Sequence, residues 1–226
     1  MSDVVVIVSG GMDSVTLLYD VASQGHTIHA LTFNYGQRHN VEITYANKHC
    51  EYLAINHKIL SLDVLSEVAP SCLTRKEPVP EGNYDEENMK ATVVPNRNMV
   101  MLALATSYAI STKSEAVYYG AHAGDHTIYP DCRPEFIKSM DNTMKLCDWR
   151  RIELRVPYMR MTKADILRIG KELKVDYSQT WTCYKGERIS CGKCGSCRER
   201  LEAFEIANMT DPLVYQEGTN RKPLEG

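Results

Sequence analysis

The sequence predicts a doubly wound α/β fold, in which one parallel sheet of five strands is covered by helices on both faces. Three observations support this prediction. The chain opens with a β-branched run at residues 4–8, which ends near a pair of glycines. Strand-like and helix-like segments then alternate, as crossover connections in a parallel sheet require. Glycine-rich or polar stretches follow several predicted strands, where open α/β sheets bind their ligands.

Each strand is predicted from a short apolar run that is rich in β-branched or aromatic residues. The predicted strands cover residues 4–8, 27–33, 57–62, 116–120 and 152–156. Longer segments between and after them predict helices over residues 14–23, 41–53, 98–111, 135–146 and 162–173. We expect Asp13 and Ser14 to cap the first of these helices, and Thr162 to cap the last.

Residues 63–95 interrupt the alternation, because they carry four prolines among many charged residues. A segment of this length without regular structure is uncommon as a simple connection. We therefore predict a lid-like insertion over a binding site. A mobile surface insertion is the alternative.

Composition limits the classes of function. The formal net charge of -3 gives no overall basic field, so direct binding to nucleic acid is not expected. No run reaches the roughly 18 apolar residues that span a bilayer, and no membrane association is expected. The first residues lack the basic and apolar regions of a secretory signal, which predicts a cytoplasmic protein. The eight cysteines must then act without disulfide bonds.

The string SGGMDS at residues 9–14 lies between the first predicted strand and helix. Adjacent glycines let a backbone approach a phosphate closely, and a helix N-terminus supplies unpaired N–H groups and a positive dipole end. A plain glycine turn is the alternative reading of a bare glycine pair. The sequence contains no G-x-G-x-x-G motif and no Walker-type loop. A phosphate-binding loop of a different kind is therefore predicted.

Four cysteines are closely spaced near the end of the chain: Cys183, Cys191, Cys194 and Cys197. C-x2-C spacing lets two sulfurs face one ion, as in tetrahedral zinc thiolate sites. Four protein ligands leave no open position, so a structural role is expected for the zinc. An iron–sulfur cluster also uses four cysteines and remains an alternative, as do unligated thiols.

The loop resembles that of the PP-loop ATP pyrophosphatases, which split ATP between its α- and β-phosphates. Further motifs follow in order: YGQRH at residues 35–39, VPNRN at 94–98, YPDCRPEF at 129–136 and TWTCY at 180–184. Together with the cysteines, they resemble the family of 7-cyano-7-deazaguanine synthases over about residues 4–206.

The resemblance implies a Rossmann-like fold of the PP-loop, or adenine nucleotide alpha hydrolase-like, type. It implies an ATP-binding domain at residues 1–180, a zinc-binding subdomain at 181–207 and a tail at 208–226. The implied reaction joins 7-carboxy-7-deazaguanine to ammonia with ATP and Mg²⁺. Adenylation of the acid gives an acyl adenylate, which ammonia converts to an amide. Adenylation of the amide oxygen and loss of the adenylate then leave the nitrile. The family also suggests a homodimer.

The resemblance also supplies candidate site residues. The ATP site would comprise Val8, Ser9, Gly10, Gly11, Met12, Asp13, Ser14, Val15, Thr16, Leu17 and Leu18. The catalytic candidates are Asp13, Arg97 and Lys163. The substrate-binding candidates are Arg38, Asp125, Tyr129, Asp131, Cys132 and Arg133.

Individual roles are assigned by chemistry. Arg133 offers a planar fork for the substrate carboxylate, and Asp131 or Asp125 an acceptor for the guanine-like N–H edge. Tyr129 and Trp181 are candidate stacking surfaces, although a core position suits Trp181 equally well. For Lys163, the alternative to a catalytic role is a solvated side chain. Cys132 is expected to line the pocket, and a nucleophilic role is its alternative.

Two rival functions remain. The first is a PP-loop enzyme that acts on tRNA, by thiolation or lysine ligation, and the second is a non-enzymatic zinc module that binds nucleic acid. A basic RNA-binding extension would favour the first, and absence of ATP turnover the second. The sequence leaves open whether the product serves tRNA queuosine, modified DNA or a secondary metabolite.

Overall fold

The computed structural model describes residues 2–217 and residue 219. Its centre is one parallel sheet with the strand order β3-β2-β1-β4-β5. The strands are β1 (Asp3–Ile7), β2 (Thr27–Asn34), β3 (Asn56–Ser61), β4 (Ala116–Tyr118) and β5 (Glu153–Arg155). The predicted five-stranded parallel sheet is therefore confirmed.

Helices connect the strands and cover the sheet. They are α1 (Met12–Ser23), α2 (Val41–Tyr52), α3 (Asp63–Val68), α4 (Glu86–Met89), α5 (Arg97–Ser111), α6 (Pro134–Met144), α7 (Lys163–Glu172) and α8 (Gly195–Ile206). Short 3₁₀ turns lie at Lys90–Thr92, Ala123–Thr127, Pro130–Cys132 and Tyr177–Gln179. The sequence predicted neither α3, α4 nor α8.

The two faces of β1 pack against different helices, because side chains alternate across a strand. Val4 and Val6 pack with residues of α1, α7 and α8, whereas Val5 packs with residues of α5 and α6. All three valines are fully buried. Helices therefore cover both faces, which is the doubly wound arrangement that the sequence predicts.

The start of α1 differs from the prediction. The helix begins at Met12 with Gly11 at the N-cap, and no side chain accepts a hydrogen bond at this cap. The expectation that Asp13 and Ser14 cap the helix is wrong, because the Gly10–Gly11 turn starts it earlier and places both residues in the first turn. The cap at Thr162 is confirmed, since Thr162 and Asp165 form reciprocal side-chain to backbone bonds.

The insertion at residues 63–95 is attached to the cysteine-containing segment. Glu81 pairs with Cys194 in an isolated β-bridge, and the Gly82 N–H donates to the carbonyl of Lys193. Lys185 forms an ion pair with Glu81. The insertion therefore contacts the segment from which the four cysteines come. Whether it acts as a lid stays a prediction.

The described part of the tail is held by a buried ion pair. Arg200 of α8 is fully buried and contacts both carboxylate oxygens of Asp211, at 2.9 and 3.0 Å. It also donates to Thr180 Oγ1 at 2.7 Å, which links α8 to the segment after α7. Residues 218 and 220–226 of the predicted tail lie outside the described residues. The division into domains stays a prediction.

Among the described residues, none of the helices combines the length and apolarity that crossing a bilayer requires.

Candidate active site

A cavity of about 220 Å³ opens at the carboxyl end of the sheet, beside the position where strand order reverses between β1 and β4. Ligands of open α/β sheets bind at this position. The phosphate loop, the motif segments and the cysteine-containing segment all contribute to its walls. The charged or titratable lining residues are Asp13, Tyr35, His39, Glu42, Tyr84, Arg97, Tyr119, Asp125, Tyr129, Cys132, Lys163, Tyr184 and Glu199.

The phosphate loop is pressed against the start of α2. Gly10 has φ +96°, and a Cβ atom there would lie 2.0 Å from the carbonyl oxygen of Glu42. The other predicted ATP residues divide into two groups. Val8, Ser9, Gly11, Met12, Asp13 and Ser14 line the cavity, whereas Gly10, Val15, Thr16, Leu17 and Leu18 do not and are buried.

Two serine hydroxyls hold the loop in shape. Ser14 Oγ accepts the Ser9 N–H at 3.1 Å and donates to the Gly11 carbonyl at 3.1 Å. Ser9 Oγ accepts the Gly11 N–H at 3.1 Å. The first N–H groups of α1 have no acceptor within the helix, and they lie at the positive end of its dipole. The geometry of the loop is therefore suited to hold an anion at the cavity wall.

A charge cluster lies beside the loop; its members are Asp13, His122, Asp125, Lys163 and Glu199. Lys163 Nζ lies 3.2 Å from Asp13 Oδ2 and 2.5 Å from Glu199 Oε2. Burial alone would lower the pKa of Lys163, but the neighbouring carboxylates outweigh burial and raise it. With its side chain only 10% exposed, Lys163 is a buried cation and not a solvated one.

The last member of the charge cluster is His122, which lies in the loop after β4. Its Nδ1 accepts the Gly124 N–H at 3.1 Å, so the other ring nitrogen faces the carboxylates. Nε2 lies 3.7 Å from Asp13, 3.6 Å from Asp125 and 3.9 Å from Glu199. Burial raises the pKa of Glu199, although Lys163 opposes this. Three carboxylates thus share one lysine and one histidine.

Asp13 has one oxygen that the charge cluster does not satisfy. Its Oδ2 pairs with Lys163, while Oδ1 is buried and has no hydrogen-bond partner among the described residues. A buried carboxylate oxygen without a donor is costly. Such an oxygen beside a phosphate loop suits a hard cation, because magnesium binds through one or two carboxylates together with substrate phosphates.

Arg97 lies at the start of α5 and forms a different wall of the cavity. Its guanidinium donates to Tyr35 Oη at 3.1 Å and lies 5.5 Å and 5.9 Å from the ring centres of Tyr35 and Tyr129. Burial opposes its charge, but interactions with Tyr35 and other tyrosines prevail and raise the pKa of Arg97. None of the carboxylates whose side chains the structure describes forms an ion pair with it.

Cys132 lines the cavity as a buried thiol. It accepts from Asn98 Nδ2 at 3.2 Å and contacts Tyr119 Oη at 3.3 Å. Burial and the charge of Asp125 raise the pKa of the thiol well above its usual range. A nucleophilic cysteine needs a lowered pKa, so this environment favours a lining role over a nucleophilic one.

Three of the predicted substrate residues lie outside the cavity wall. Arg133 is exposed and donates through Nε to the His126 carbonyl at 2.9 Å. Asp131 Oδ2 accepts the Asn98 N–H at the start of α5, and the exposed Arg38 donates to the Glu77 carbonyl. Asp125, Tyr129 and Cys132 do line the cavity. The structure thus brings together only part of the predicted substrate set.

Trp181 is both a core and a lining residue. It is 5% exposed and stacks on Tyr45, with ring centres 6.0 Å apart and planes 17° apart. Its Nε1–H donates to the Cys183 carbonyl at 2.8 Å, and its backbone N–H donates to the carbonyl of Gly10. Trp181 therefore connects the phosphate loop to the cysteine site.

The four predicted cysteines meet in one buried site. The sulfur atoms of Cys183, Cys191, Cys194 and Cys197 all lie within 4.8 Å of one another, and those of Cys191 and Cys197 are 3.9 Å apart. Backbone N–H groups of Cys191, Lys193 and Cys194 point at sulfurs from 3.3 to 3.4 Å. Such donors stabilise thiolate ligands, as outer-shell partners of metal sites do.

This spacing suits one ion. A zinc ion bonded at about 2.3 Å to four thiolates keeps the sulfurs just under about 4 Å apart. In an iron–sulfur cluster the four cysteines bind the irons of an extended cluster, which spreads the sulfurs further. The observed separations therefore fit a single tetrahedral ion.

Sequence reasoning missed several lining residues that distant segments supply. Glu199 and Ser196 come from α8, and Tyr84 comes from the insertion. His122, in the loop after β4, was also missed; it lies beside the lining carboxylates Asp13 and Asp125. Tyr84 Oη donates to Asp125 Oδ1 at 3.2 Å, and its ring lies 5.9 Å from Lys163 Nζ. For two further lining residues, Tyr35 and His39, the sequence did contain a signal, because both belong to the YGQRH motif. Neither residue was assigned a role from the sequence.

A family described as Queuosine biosynthesis protein QueC matches residues 3–208 of the chain. Two curated relatives carry the name 7-cyano-7-deazaguanine synthase. The one from Caldicellulosiruptor saccharolyticus is 54% identical over 213 residues, covering 94% of this chain and 95% of the relative. The one from Methanoregula boonei is 57% identical over 213 residues, covering 94% and 98%.

Solved structures resemble the chain in fold. The NMN synthetase from Francisella tularensis has a TM-score of 0.54 at 16% identity, covering 92% of this chain and 78% of that one. The U34-tRNA thiolase NcsA from Methanococcus maripaludis, solved with its 4Fe–4S cluster, has a TM-score of 0.51 at 16% identity. That comparison covers 92% of this chain and 65% of the thiolase. At such low identity the likeness concerns the fold alone.

Proposed function

Because this chain belongs to the family of the queuosine biosynthesis protein QueC, which includes 7-cyano-7-deazaguanine synthases, we propose that it makes this nitrile from 7-carboxy-7-deazaguanine, ammonia and ATP. The reaction forms a carbon–nitrogen bond at the expense of ATP, which would class the enzyme as a ligase. The family favours this function over a tRNA-thiolating enzyme, a tRNA-lysine ligase or a non-enzymatic zinc module.

One observation carries the proposal: the phosphate loop lines the same cavity as Arg97, a cation that has no ion-pair partner among the described carboxylates. Binding of ATP requires the phosphate loop, and binding of a substrate carboxylate requires a cation in the same cavity. Lys163 is the other basic side chain among the charged lining residues, but Asp13 and Glu199 already neutralise it. Arg97 is therefore the cation that remains for the substrate carboxylate and for charge on the α-phosphate.

The chemistry proceeds by two activations. The substrate carboxylate attacks the α-phosphorus of ATP, pyrophosphate leaves, and an acyl adenylate forms. Ammonia attacks the acyl carbon, and AMP leaves to give the amide. The amide oxygen then attacks the α-phosphorus of a second ATP, and pyrophosphate leaves. Loss of AMP and protons from the adenylated amide gives the nitrile. The backbone N–H groups of the loop stabilise charge on the phosphates in both activations.

Asp125 and Tyr129 are proposed to bind the deazaguanine ring. Asp125 offers a carboxylate for the N–H edge, and it is held by Tyr84 Oη and by the His122 N–H at 3.2 Å each. Tyr129 offers an aromatic ring next to Arg97. Cys132 is proposed to line this part of the pocket as a neutral thiol.

Two metals complete the proposal. Asp13 Oδ1 would hold Mg²⁺ together with ATP oxygens, and this ion would neutralise charge on the phosphates. The four cysteines would hold a structural Zn²⁺, whose binding stabilises the segment around α8. This segment supplies Tyr184, Ser196 and Glu199 to the cavity.

A homodimer in the cytoplasm is proposed from the resemblance. Leu146 and Trp149, which follow α6, are 86% and 102% exposed. Aromatic residues are enriched in the cores of protein interfaces, so this exposed pair is the surface that we propose for the dimer contact. Sedimentation equilibrium tests the dimer, and a monomer at all accessible concentrations would contradict it.

A product assay tests the proposed function. The protein is incubated with ATP, Mg²⁺, ammonium and 7-carboxy-7-deazaguanine, and the products are read by mass spectrometry. We expect the nitrile, AMP and pyrophosphate, with the amide as an intermediate. ATP turnover without any amide or nitrile would refute the proposed substrate.

A further inference from the structure

We propose that Tyr35 binds the 7-substituent of the substrate, and that its hydroxyl donates a hydrogen bond to an oxygen of the acid and later of the amide. This inference rests on the proposed function, because it concerns the two successive ligands of that reaction. Tyr35 lines the cavity and belongs to the YGQRH motif. The mechanism described above gives it no role.

The proposed reaction places two different ligands in one cavity. The acid is charged and can pair with Arg97, whereas the amide formed from it is neutral. Loss of the charge removes much of the attraction to the guanidinium. A neutral hydrogen-bond donor beside Arg97 would serve both ligands, since a carboxylate and an amide each carry an oxygen that accepts.

The hydroxyl of Tyr35 has such a hydrogen available. Arg97 Nη1 donates to Tyr35 Oη at 3.1 Å. A guanidinium can only donate, so the hydroxyl oxygen accepts and the hydroxyl hydrogen takes no part in this bond. Among the described residues, this hydrogen has no acceptor. Because Tyr35 is only 4% exposed, an acceptor on a ligand in the cavity would satisfy a buried donor.

Four other tyrosines line the cavity, and their hydroxyls are engaged in its wall. Tyr84 donates to Asp125, Tyr119 reaches Cys132 Sγ, Tyr184 reaches Tyr129 Oη, and Tyr129 reaches Thr92 Oγ1, at 3.2 to 3.4 Å. Each of these contacts gives the hydroxyl an acceptor from the protein. Tyr35 is therefore the lining tyrosine whose hydroxyl is best suited to a ligand.

The hydroxyl of Tyr35 keeps its hydrogen at neutral pH. Burial raises the pKa of Tyr35 to about 12, although the charge of Arg97 opposes this rise. The N–H bond that Arg97 donates also polarises the hydroxyl and strengthens it as a donor, as in other chains of hydrogen bonds. A neutral donor of this kind does not depend on charge on the ligand.

The local backbone places Tyr35 next to the phosphate loop. Tyr35 follows β2, and β2 pairs with β1, which leads into the loop. The Tyr35 N–H donates to Gln37 Oε1 at 2.8 Å, and Gly36 turns the chain with φ +78°. An oxygen held by Tyr35 is thus held in the cavity wall beside the loop, as transfer of AMP to that oxygen requires.

Tyr35→Phe tests the contact, because it removes the hydroxyl and keeps the ring. Calorimetric titration measures the dissociation constants of the acid, the amide and unsubstituted 7-deazaguanine, which has no substituent at position 7. We expect the variant to bind both the acid and the amide at least about threefold more weakly, on the scale of a lost hydrogen bond. Binding of unsubstituted 7-deazaguanine should change less than about twofold.

Tyr52→Phe is the control, since Tyr52 lies on α2 and is 81% exposed. It should bind each ligand as the wild type does. An unchanged affinity for the amide in Tyr35→Phe would overturn the proposal, because a tyrosine that only orients Arg97 affects the acid alone. Equal losses with all the ligands would also overturn it, since they indicate a disturbed pocket. Failure of the wild type to convert the acid to the nitrile would refute the proposed function instead.

Discussion

At the scale of single residues, two arginines that the sequence places close to the site differ in their surroundings. Arg97 is half-buried in the cavity wall and has no ion-pair partner among the carboxylates that the structure describes, whereas Arg133 is exposed and donates to a backbone carbonyl. Both have the planar fork that suits a carboxylate. Only the folded chain distinguishes them, because their side chains point to different places.

We expect Arg97→Ala to weaken binding of 7-carboxy-7-deazaguanine by about 2–3 kcal/mol, the scale of a lost charged hydrogen bond. Binding of the neutral amide should suffer less, since it brings no charge to pair. Arg133→Ala is the matched control and should change either affinity by less than about 0.5 kcal/mol. Calorimetric titration of both ligands measures these effects. A larger loss of acid binding in Arg133→Ala than in Arg97→Ala would contradict the assignment.

At the scale of elements, the phosphate loop depends on close packing between α1 and α2. Gly10 and Gly25 both have positive φ, at +96° and +77°. They differ in the space available for a side chain. A Cβ atom at Gly10 would collide with the backbone of Glu42 and Ala46, whereas a Cβ atom at Gly25 would meet nothing within 4 Å. This pair separates the effect of conformation from that of contact.

Gly25→Ala should cost about 1–2 kcal/mol of unfolding free energy, from the strained backbone alone. Gly10→Ala should cost roughly 1–3 kcal/mol more, because overpacking forces α2 to shift. It should also abolish most ATP turnover, while Gly25→Ala retains it. Denaturant unfolding and pyrophosphate release measure the two effects. Equal stability losses in both variants would mean that the loop tolerates a side chain at Gly10.

The elements also show what the sequence can predict. The strands β1 and β2 were predictable because buried parallel strands are continuous apolar runs. Helix α8 was not, because its buried positions include Cys197 and Arg200, which do not form an apolar stripe. The loop string and the four cysteines each identify a site by local spacing. Glu199 reaches the cavity, and His122 reaches the charge cluster beside it, through tertiary packing. No local pattern therefore marks them.

At the scale of the whole molecule, shared helices and hydrogen bonds connect the cysteine site to the active site. Cys194 caps α8, the same helix carries Glu199 to the charge cluster, and Trp181 binds both Gly10 and Cys183. The insertion also bridges to Cys194 through Glu81. Loss of the metal should therefore disturb ATP turnover as well as stability.

Wild-type protein should contain about one zinc per chain by elemental analysis. Cys194→Ser should lose the zinc, melt at a lower temperature and lose most activity, because metal binding is coupled to folding. Cys147→Ser is the control, since Cys147 is exposed and outside the set of four. Full metal loss in Cys194→Ser with unchanged melting would refute a structural role. Iron accompanied by acid-labile sulfide, in place of zinc, would refute the single-ion assignment.

The central claim is that the cavity activates oxygen by transferring AMP to it. The most direct measurement uses 7-carboxy-7-deazaguanine with heavy oxygen at both carboxylate positions. We expect one heavy oxygen to leave with the AMP of the first activation and the other with the AMP of the second. Mass spectrometry should then find the label in AMP and none in pyrophosphate. Label in inorganic phosphate, accompanied by ADP, would contradict the account.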